Sequence, residues 1–378
     1  MALTRGIQGT RGSTARKPTK LESVFPVATV LTMPTDPALY YFSSPKGALE
    51  HFRGNQQFAG GNWERYLDLW EDTFPATVPL LISSAQPDDD ADALQANVID
   101  AINAMKGFGP KFDVRPDIVA VADMARNKSV LNQLIVINNF FQSRSFFDID
   151  APDASQAKLF RNDFSSERIH LINTPFLKFN TQTETTEEYD GGVVMAMQRS
   201  YIDAQRIYGW FDSVSNVPIL MDGVKYGADY HLGADETDPF ADVQVWTVIN
   251  DGGLRPWGSD YTCSTDPIWQ NGSRVRLVDL AIKAIRMELR DSIDKDLSEL
   301  SVVKSSLSAF VRKLIGQGIL LGGEILLDEE KTTPTEITAG NFYFVLDFQD
   351  MPKARRIVVH MNYTDRYSDI AYKILGEA

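Results

Sequence analysis

Apolar positions along this chain fall into short blocks that alternate between two spacings. Continuous apolar runs at 27–31, 78–82 (VPLLI), 117–123 (DIVAVAD) and 168–172 (RIHLI) are bounded by Pro or Asp or sit in polar surroundings. Runs of this length predict strands buried on both faces; a further strand is predicted over 146–149. Between them, apolar residues recur three and four apart. Leu49 and Phe52 mark a helix over 43–52, with Pro45 near its start. Tyr66, Leu67 and Trp70 mark a second over 63–70. Leu94, Val98, Ile99, Ile102 and Met105 mark a third over 91–105, stopped by Gly107 and Gly109-Pro110. Residues 130–141 and 154–160 read as helices, as does 193–208 with Val194, Met197, Tyr201, Ala204 and Tyr208 on its stripe. Strand and helix in alternation predict an α/β layer with a largely parallel sheet from residue 25 to about 242. The polar, acidic stretch TQTETTEEYD predicts an exposed loop.

After residue 242 the pattern changes. Residues 243–250 alternate, with Val243, Val245, Thr247 and Ile249 to one side, and predict a strand. A stretch dense in Gly, Pro and aromatic residues follows, 250–270, NDGGLRPWGSDYTCSTDPIWQ. Its glycines permit backbone angles that side chains forbid and its prolines fix φ, so it predicts an ordered connector. The helix that starts near Ser273 carries Arg274, Arg276, Lys283, Arg286 and Arg290, with Val278, Ile282, Ile285 and Leu289 as its apolar stripe. Two readings of that basic face stand: a solvated face with pairs such as Asp279–Lys283, or an electrostatic contact to an acidic partner. A helix over 302–315 ends at Gly316 and Gly318. Strands are predicted at 319–327, 341–348 and 355–363, with a polar loop over 328–338. In the last strand Ile357, Val359, Met361 and Tyr363 alternate with Arg356, Val358, His360 and Asn362. It is either an edge strand of its own domain or one that pairs with a neighbouring copy.

Composition narrows the classes. A chain of 378 residues, 43% hydrophobic and 23% charged, is globular and long enough for two or three cores. Its net charge of −14 argues against duplex DNA as a direct ligand. No apolar run reaches the ~18 residues that span a bilayer. The lone Cys263 rules out an internal disulfide and suits a reducing cytosol. Residues 1–22 are basic (Arg5, Arg11, Arg16, Lys17 and Lys20) and acid-free to Lys20. They lack the apolar region of a secretory signal. They read either as a disordered tail or as an arm that orders on a partner, as an added strand.

The connector carries a motif. Residues 254–267, LRPWGSDYTCSTDP, which hold Trp257, Gly258, Thr262, Cys263, Ser264, Asp266 and Pro267 in the same order, resemble the G-x-x-x-W-G-x-R-T-C-S-x-D-P signature of contractile tail sheath proteins of tailed phages. Asp260-Tyr261 stands where that family usually has Asn-Arg. The similarity continues through a long helix, a Gly-rich turn and the run from Ala339-Gly340-Asn341-Phe342 to Asp347 and Pro352, over roughly 245–363. The resemblance implies a structural subunit, copies of which stack as hexameric rings or a six-start helix around a tail tube protein. They meet baseplate and tail terminator proteins and contract to drive the tube through a cell envelope. It implies a C-terminal core domain completed by terminal arm strands plus a larger outward α/β domain, α+β overall. The divisions are an N-terminal arm (1–24), an outer domain (25–242), a tube-proximal core (243–352) and a C-terminal arm (353–378). Arg5 to Lys20 with Ile357, Val359 and Met361 become inter-subunit arm residues. Lys283, Arg286 and Arg290 become candidate tube contacts. The expected location is the virion tail, assembled in the host cytoplasm, with no cofactor, direct nucleic acid contact or membrane insertion. The sheath of a phage-tail-like bacteriocin or a secretion machine is the alternative within the class.

The competing class is a monomeric α/β hydrolase. It lacks support in the residues: there is no G-x-S-x-G elbow, H-E-x-x-H, Walker loop or C-x-x-C. His51, His170, His231 and His360 have no metal-ligand spacing, and each is expected on the surface or hydrogen-bonded. Residues 316–323 (GQGILLGG) follow a helix, the wrong order for a phosphate loop. Asp88-Asp89-Asp90 reads as a solvated loop. The family's middle region resembles a subtilisin-type layer, a fold similarity that imports no protease site.

Overall fold

A computed structural model describes residues 25–180, 184–229, 236–289, 299–355 and 357–367, with isolated positions 370, 374 and 376. Its elements run β1 (Val27–Thr32), β2 (Leu39–Phe42), α1 (Pro45–Arg53), α2 (Trp63–Thr73), β3 (Leu80–Ala85), α3 (Ala91–Ala104), α4 (Phe108–Phe112), β4 (Ile118–Val121), α5 (Lys128–Phe141), β5 (Ser145–Asp148), α6 (Ala154–Arg161) and β6 (Ile169–Ile172). They continue as β7 (Phe176–Asn180), β8 (Thr185–Tyr189), α7 (Gly191–Gln205), β9 (Gly223–Val224), α8 (Asp238–Asp242), β10 (Val245–Asn250), β11 (Leu254–Trp257), α9 (Gly272–Leu289), α10 (Glu299–Gly316), β12 (Leu320–Leu327), α11 (Pro334–Thr338) and β13 (Phe344–Asp350). The fold is α/β in its larger portion and α+β overall.

Two four-stranded sheets, β2-β3-β1-β4 and β11-β10-β6-β5, meet side by side. The Val119 N–H donates to the Arg144 carbonyl at 2.8 Å, and the Arg144 N–H to the Asp117 carbonyl at 3.0 Å. β3, β1, β4 and β5, β6, β10 run parallel, with β2 and β11 antiparallel at the two outer edges. Alternation explains why these strands read as continuous apolar runs. Val27 and Leu31 face the cluster that holds Trp70, Met197 and Trp246, while Ala28 and Val30 face the one that holds Ile102, Leu134 and Phe141. Every residue of β1 and β4 is buried because helices cover both sides. Short polar residues start the helices: Ser44, Asp90, Asn127, Asp153 and Asp190 each accept a first-turn backbone N–H.

A separate cluster joins Leu277, Leu280, Ala281 and Ala284 of α9 to Phe310 and Leu314 of α10 and Ile325 of β12. Here β12 and β13 form an antiparallel pair.

Several expectations need correction. β10 and β11, which the division at 242/243 assigned to the core portion, are hydrogen-bonded into the large sheet. Because β10 lies inside that sheet, Val245 to Ile249 are all buried rather than alternating. The predicted acidic loop contains β8, an antiparallel partner of β7. Its exposed face leaves no apolar signal to read. The polar loop after β12 contains α11, capped by Thr333 with Pro334 in the first turn. On α9 the inward stripe is Leu277, Leu280, Ala281 and Ala284, and Ile282 is exposed. Of the expected stripe Ile285 packs against that cluster; two alanines lie on the inward stripe, so hydrophobicity alone misplaced its centre. Residues 357–363 form no strand within this chain.

Candidate assembly surface

The signature connector is locked both by its own groups and by β6, β10 and α9. The indole of Trp246 lies flat on Gly258: a Cβ there would sit 2.0 Å from Trp246 Cδ2. The same indole donates its N–H to the Tyr261 carbonyl at 2.7 Å. Thr262 donates from its backbone to the Gln270 carbonyl at 2.9 Å and from its hydroxyl to the Trp269 carbonyl at 3.0 Å, which closes the loop. The Cys263 N–H reaches the Ile169 carbonyl at 2.9 Å, tying the loop to β6. Ser264 and Asp266 accept the backbone N–H groups of Asp266 and Ile268, turning the chain before the exposed Pro267. Trp257 is half-buried in β11. Asp260 then starts α9 by accepting both the N–H and the hydroxyl of Ser273, at 2.6 and 2.5 Å. The signature is thus a structural joint between the sheet and α9. Cys263 is fully buried with Sγ 3.5 Å from the Ser166 carbonyl. Burial pushes its thiol up to about 11, away from a reactive thiolate.

A buried ion network fastens α9 to the sheet. Arg276 is almost wholly buried and donates to Asp117 Oδ2 at 2.6 and 3.1 Å and to Asp203 at 2.5 and 2.9 Å. Arg199 donates to Asp203 at 2.6 Å from α7, and Arg168 grips Asp279 with two bonds of 2.9 and 2.7 Å. The anticipated Asp279–Lys283 pair is therefore replaced by two contacts across elements. Lys283 donates to the Gln142 carbonyl at 3.0 Å and stands 3.5 Å from Asp117 Oδ1. Burial would raise the Asp117 carboxyl, but Arg276, Lys283 and Arg144 hold it well below the usual carboxylate range. Charged residues on a helix read from sequence as solvated; only packing against β4 and α7 reveals Arg276 and Asp279 as internal. Of the candidate tube contacts, Lys283 is thus bonded within its own chain, Arg286 is exposed, and Arg290 lies outside the described residues. Arg5, Arg11, Arg16, Lys17 and Lys20 also lie outside them.

The arm residues past β13 are the unusual surface. The Met351 N–H bonds the Ile319 carbonyl at 2.9 Å, and among the described residues no later backbone–backbone bond joins 352–363 to the body. Ile357, Val359 and Met361 are 82%, 73% and 91% exposed, and Val358 and Tyr363 are exposed beside them. Each such apolar side chain gains about 1.5–3 kcal/mol from burial, so a segment with this many in the open calls for a cover.

Titratable groups gather at one place on the large sheet, where donors of their own chain hold them. A cleft of about 320 Å³ lies at the C-terminal ends of β4 and β5, lined by Arg65, Asp123, Asp148, Asp150, Glu188 and Asp190. These carboxylates have donors of their own: Asp148 accepts the Gly191 and Asp150 N–H groups, Asp190 caps α7, Asp123 accepts the Tyr66 hydroxyl, and Lys225 reaches Asp150 and Glu188. Burial pushes Asp148 up to about 7. Among the described residues no group of three or more His, Cys, Asp or Glu is placed to hold a metal ion. His51 and His360 are exposed, His170 is buried with a bond to the Tyr261 carbonyl, and His231 lies outside the described residues.

Taken with its locked connector and open terminal segment, this architecture is similar to that of sheath components of contractile particles. The chain aligns over 96% of its length with the sheath of an extracellular contractile injection system, the PVC sheath complex in its contracted state, covering 98% of that chain with a TM-score of 0.69 at 13% identity. In sequence it is similar to tail sheath proteins of phages. It is 26% identical over 59% of its length to a protein described as a prophage major tail sheath protein of Pseudomonas aeruginosa (strain UCBPP-PA14), and 25% identical over 71% to the major tail sheath protein of Serratia phage KSP20. The matches span 59% and 68% of those relatives' own lengths. No protein-family model matches the chain. The resemblance drawn from the signature therefore holds.

Proposed function

We propose that the chain is a contractile tail sheath subunit, a structural protein and not an enzyme. Copies polymerise as stacked hexameric rings or a six-start helix around a tail tube, in contact with baseplate and terminator proteins. The particle is a virion tail assembled in the host cytoplasm. The observation that carries this reading is the exposed, unpaired apolar segment 357–363. It has the alternation of a strand, and the β12–β13 pair in a second copy has edges with no strand partner among the described residues. Strand addition there supplies backbone bonds and buries Ile357, Val359 and Met361 at once. Residues 1–24, with Arg5, Arg11, Arg16, Lys17 and Lys20 set against an otherwise acidic chain, are the second joint. The place of β10 and β11 in the large sheet, with the separate cluster of α9, α10 and β12, supports an outward body to about residue 271 and a tube-proximal portion from 272 to 352, joined by the ion network around Arg276. Contraction then repacks body surfaces while the strand joints persist.

The test is electron microscopy of the purified protein. The full chain forms striated hollow tubes, whereas a chain ending at residue 355 stays a folded monomer. Normal tubes from the truncated chain would refute the joint. A second reading, the sheath of a phage-tail-like injection machine, is favoured by the fold likeness to such a particle; neighbouring capsid and terminase genes separate the two.

A further inference from the structure

The base of the terminal arm, unlike the arm, is held at successive points. Asp350 is buried and accepts from Arg274 Nε of α9 at 2.9 Å. Lys353 Nζ lies 3.9 Å from the ring centre of Phe211, in the turn after α7. Arg355 places its guanidinium 4.4 Å from the ring centre of Tyr261, in the signature connector. Beyond it the described chain has no further hold until its apolar side chains stand in the open.

The two rings sit on rigid ground. Phe211 is 4% exposed, and the Tyr261 backbone is fixed by bonds from Trp246 and His170 to its carbonyl. Tyr261 is also one of the two adjacent positions, with Asp260, at which this chain departs from the sheath signature. Lys353 is partly desolvated: burial lowers its ammonium from the ordinary value, with Asp212 and Asp260 opposing. An ammonium over a ring gains most where water is partly excluded. Two such contacts two residues apart fix both the position and the heading of an extended chain, which a single contact does not.

We infer that Phe211 and Tyr261, stacked under Lys353 and Arg355, form a clamp that sets the angle at which the C-terminal arm leaves the body and so its reach to a second copy of this chain. This deepens the assembly reading and rests on it. An arm pre-aimed at its acceptor loses less freedom on docking. The four side chains are positioning residues: they make no contact with the acceptor and act through the arm.

The experiment measures the critical concentration for tube formation by light scattering, on full-length chains, alongside thermal unfolding of the monomer. Tyr261→Ser combined with Lys353→Gln raises the critical concentration by roughly ten-fold, the scale of two partly desolvated cation–π contacts, with an unchanged unfolding midpoint. Tyr261→Phe, which keeps a ring, and Arg355→Lys, which keeps a cation, stay within about two-fold of the parent on the same scale. Arg355 is exposed, so Arg355→Gln tests the clamp without a folding defect even if the double variant is destabilised; it raises the critical concentration by roughly three-fold. If Arg355→Gln polymerises like the parent while truncation at 355 abolishes tubes, the arm reading stands and the clamp is overturned. If the truncated chain polymerises normally, the arm reading falls and the clamp with it.

Discussion

At the scale of single residues, the signature motif works by close approach rather than by chemistry. Gly258 is needed because Trp246 occupies the space of a side chain there. Gly258→Ala forces the indole off its perch and costs at least about 3 kcal/mol, the upper part of the overpacking range. Urea unfolding reads that loss, and Trp246→Leu in the same chain recovers part of it. His170 is the second such residue. The Tyr261 carbonyl holds its Nδ1 protonated at 2.9 Å, Phe146 stacks on it at 4.7 Å between ring centres, and a Cβ on Gly272 would meet its Cε1 at 2.4 Å. Burial lowers it from 6.5 to about 4. The unfolded chain therefore binds a proton that the folded chain refuses between those values. Its stability is intact above pH 6.5 and falls by roughly 3 kcal/mol as pH drops toward 4. His170→Gln flattens that part of the pH profile of the urea midpoint; an unaltered slope would place the titration elsewhere.

At the scale of elements, α9 shows how a helix is misread by composition. Its arginines suggested a surface, yet Arg276 and Asp279 face the body while Leu277, Leu280, Ala281 and Ala284 face α10 and β12. A helix between two bodies is buried on two sides, and its polar side is polar because the neighbour supplies Asp117, Asp203 and Arg168. Arg276→Met removes the shared counter-charge of buried Asp117 and Asp203, leaving Lys283 and Arg144 beside the first and Arg199 beside the second, and costs about 3 kcal/mol. Adding Asp117→Asn and Asp203→Asn restores part of it, as a thermodynamic cycle on the monomer measures. The inner strands of the large sheet and the helices α1, α2, α3, α5, α6 and α7 were legible in sequence, since each carries one period and one or two apolar faces. β2, β7, β8, β9 and β11 were not, because exposed or edge strands of two to five residues leave no such period.

At the scale of the whole molecule, the two described candidate tube contacts separate. Lys283 is engaged with Asp117 and the Gln142 carbonyl, so Lys283→Glu sets a carboxylate beside a buried one. That lowers monomer stability by on the order of 2 kcal/mol, less than for a fully buried pair because the lysine keeps part of its solvent. Arg286 stands in solvent, so Arg286→Glu leaves the unfolding midpoint in place and weakens co-assembly on a purified tube. Unchanged assembly by that variant would remove Arg286 from the contact. The proposed division of labour is a rigid body, held by the Arg276 network, that moves as one piece, with the extended end providing the joint.

The amino-acid order alone determined the α/β layering, because each buried strand and helix carries its own period, and it marked the connector through its Trp, Gly, Thr and Cys. It also held the alternation of residues 357–363. Only the tertiary structure decided which charges are internal, since Asp203 and Asp117 lie 73 and 159 positions from Arg276, Asp279 lies 111 from Arg168 and the Gln142 carbonyl 141 from Lys283. It alone showed that β10 and β11 belong to the large sheet and that the final apolar segment has no strand partner within its own described chain. Pairing is a property of what lies alongside a strand, and a strand's own residues do not carry it.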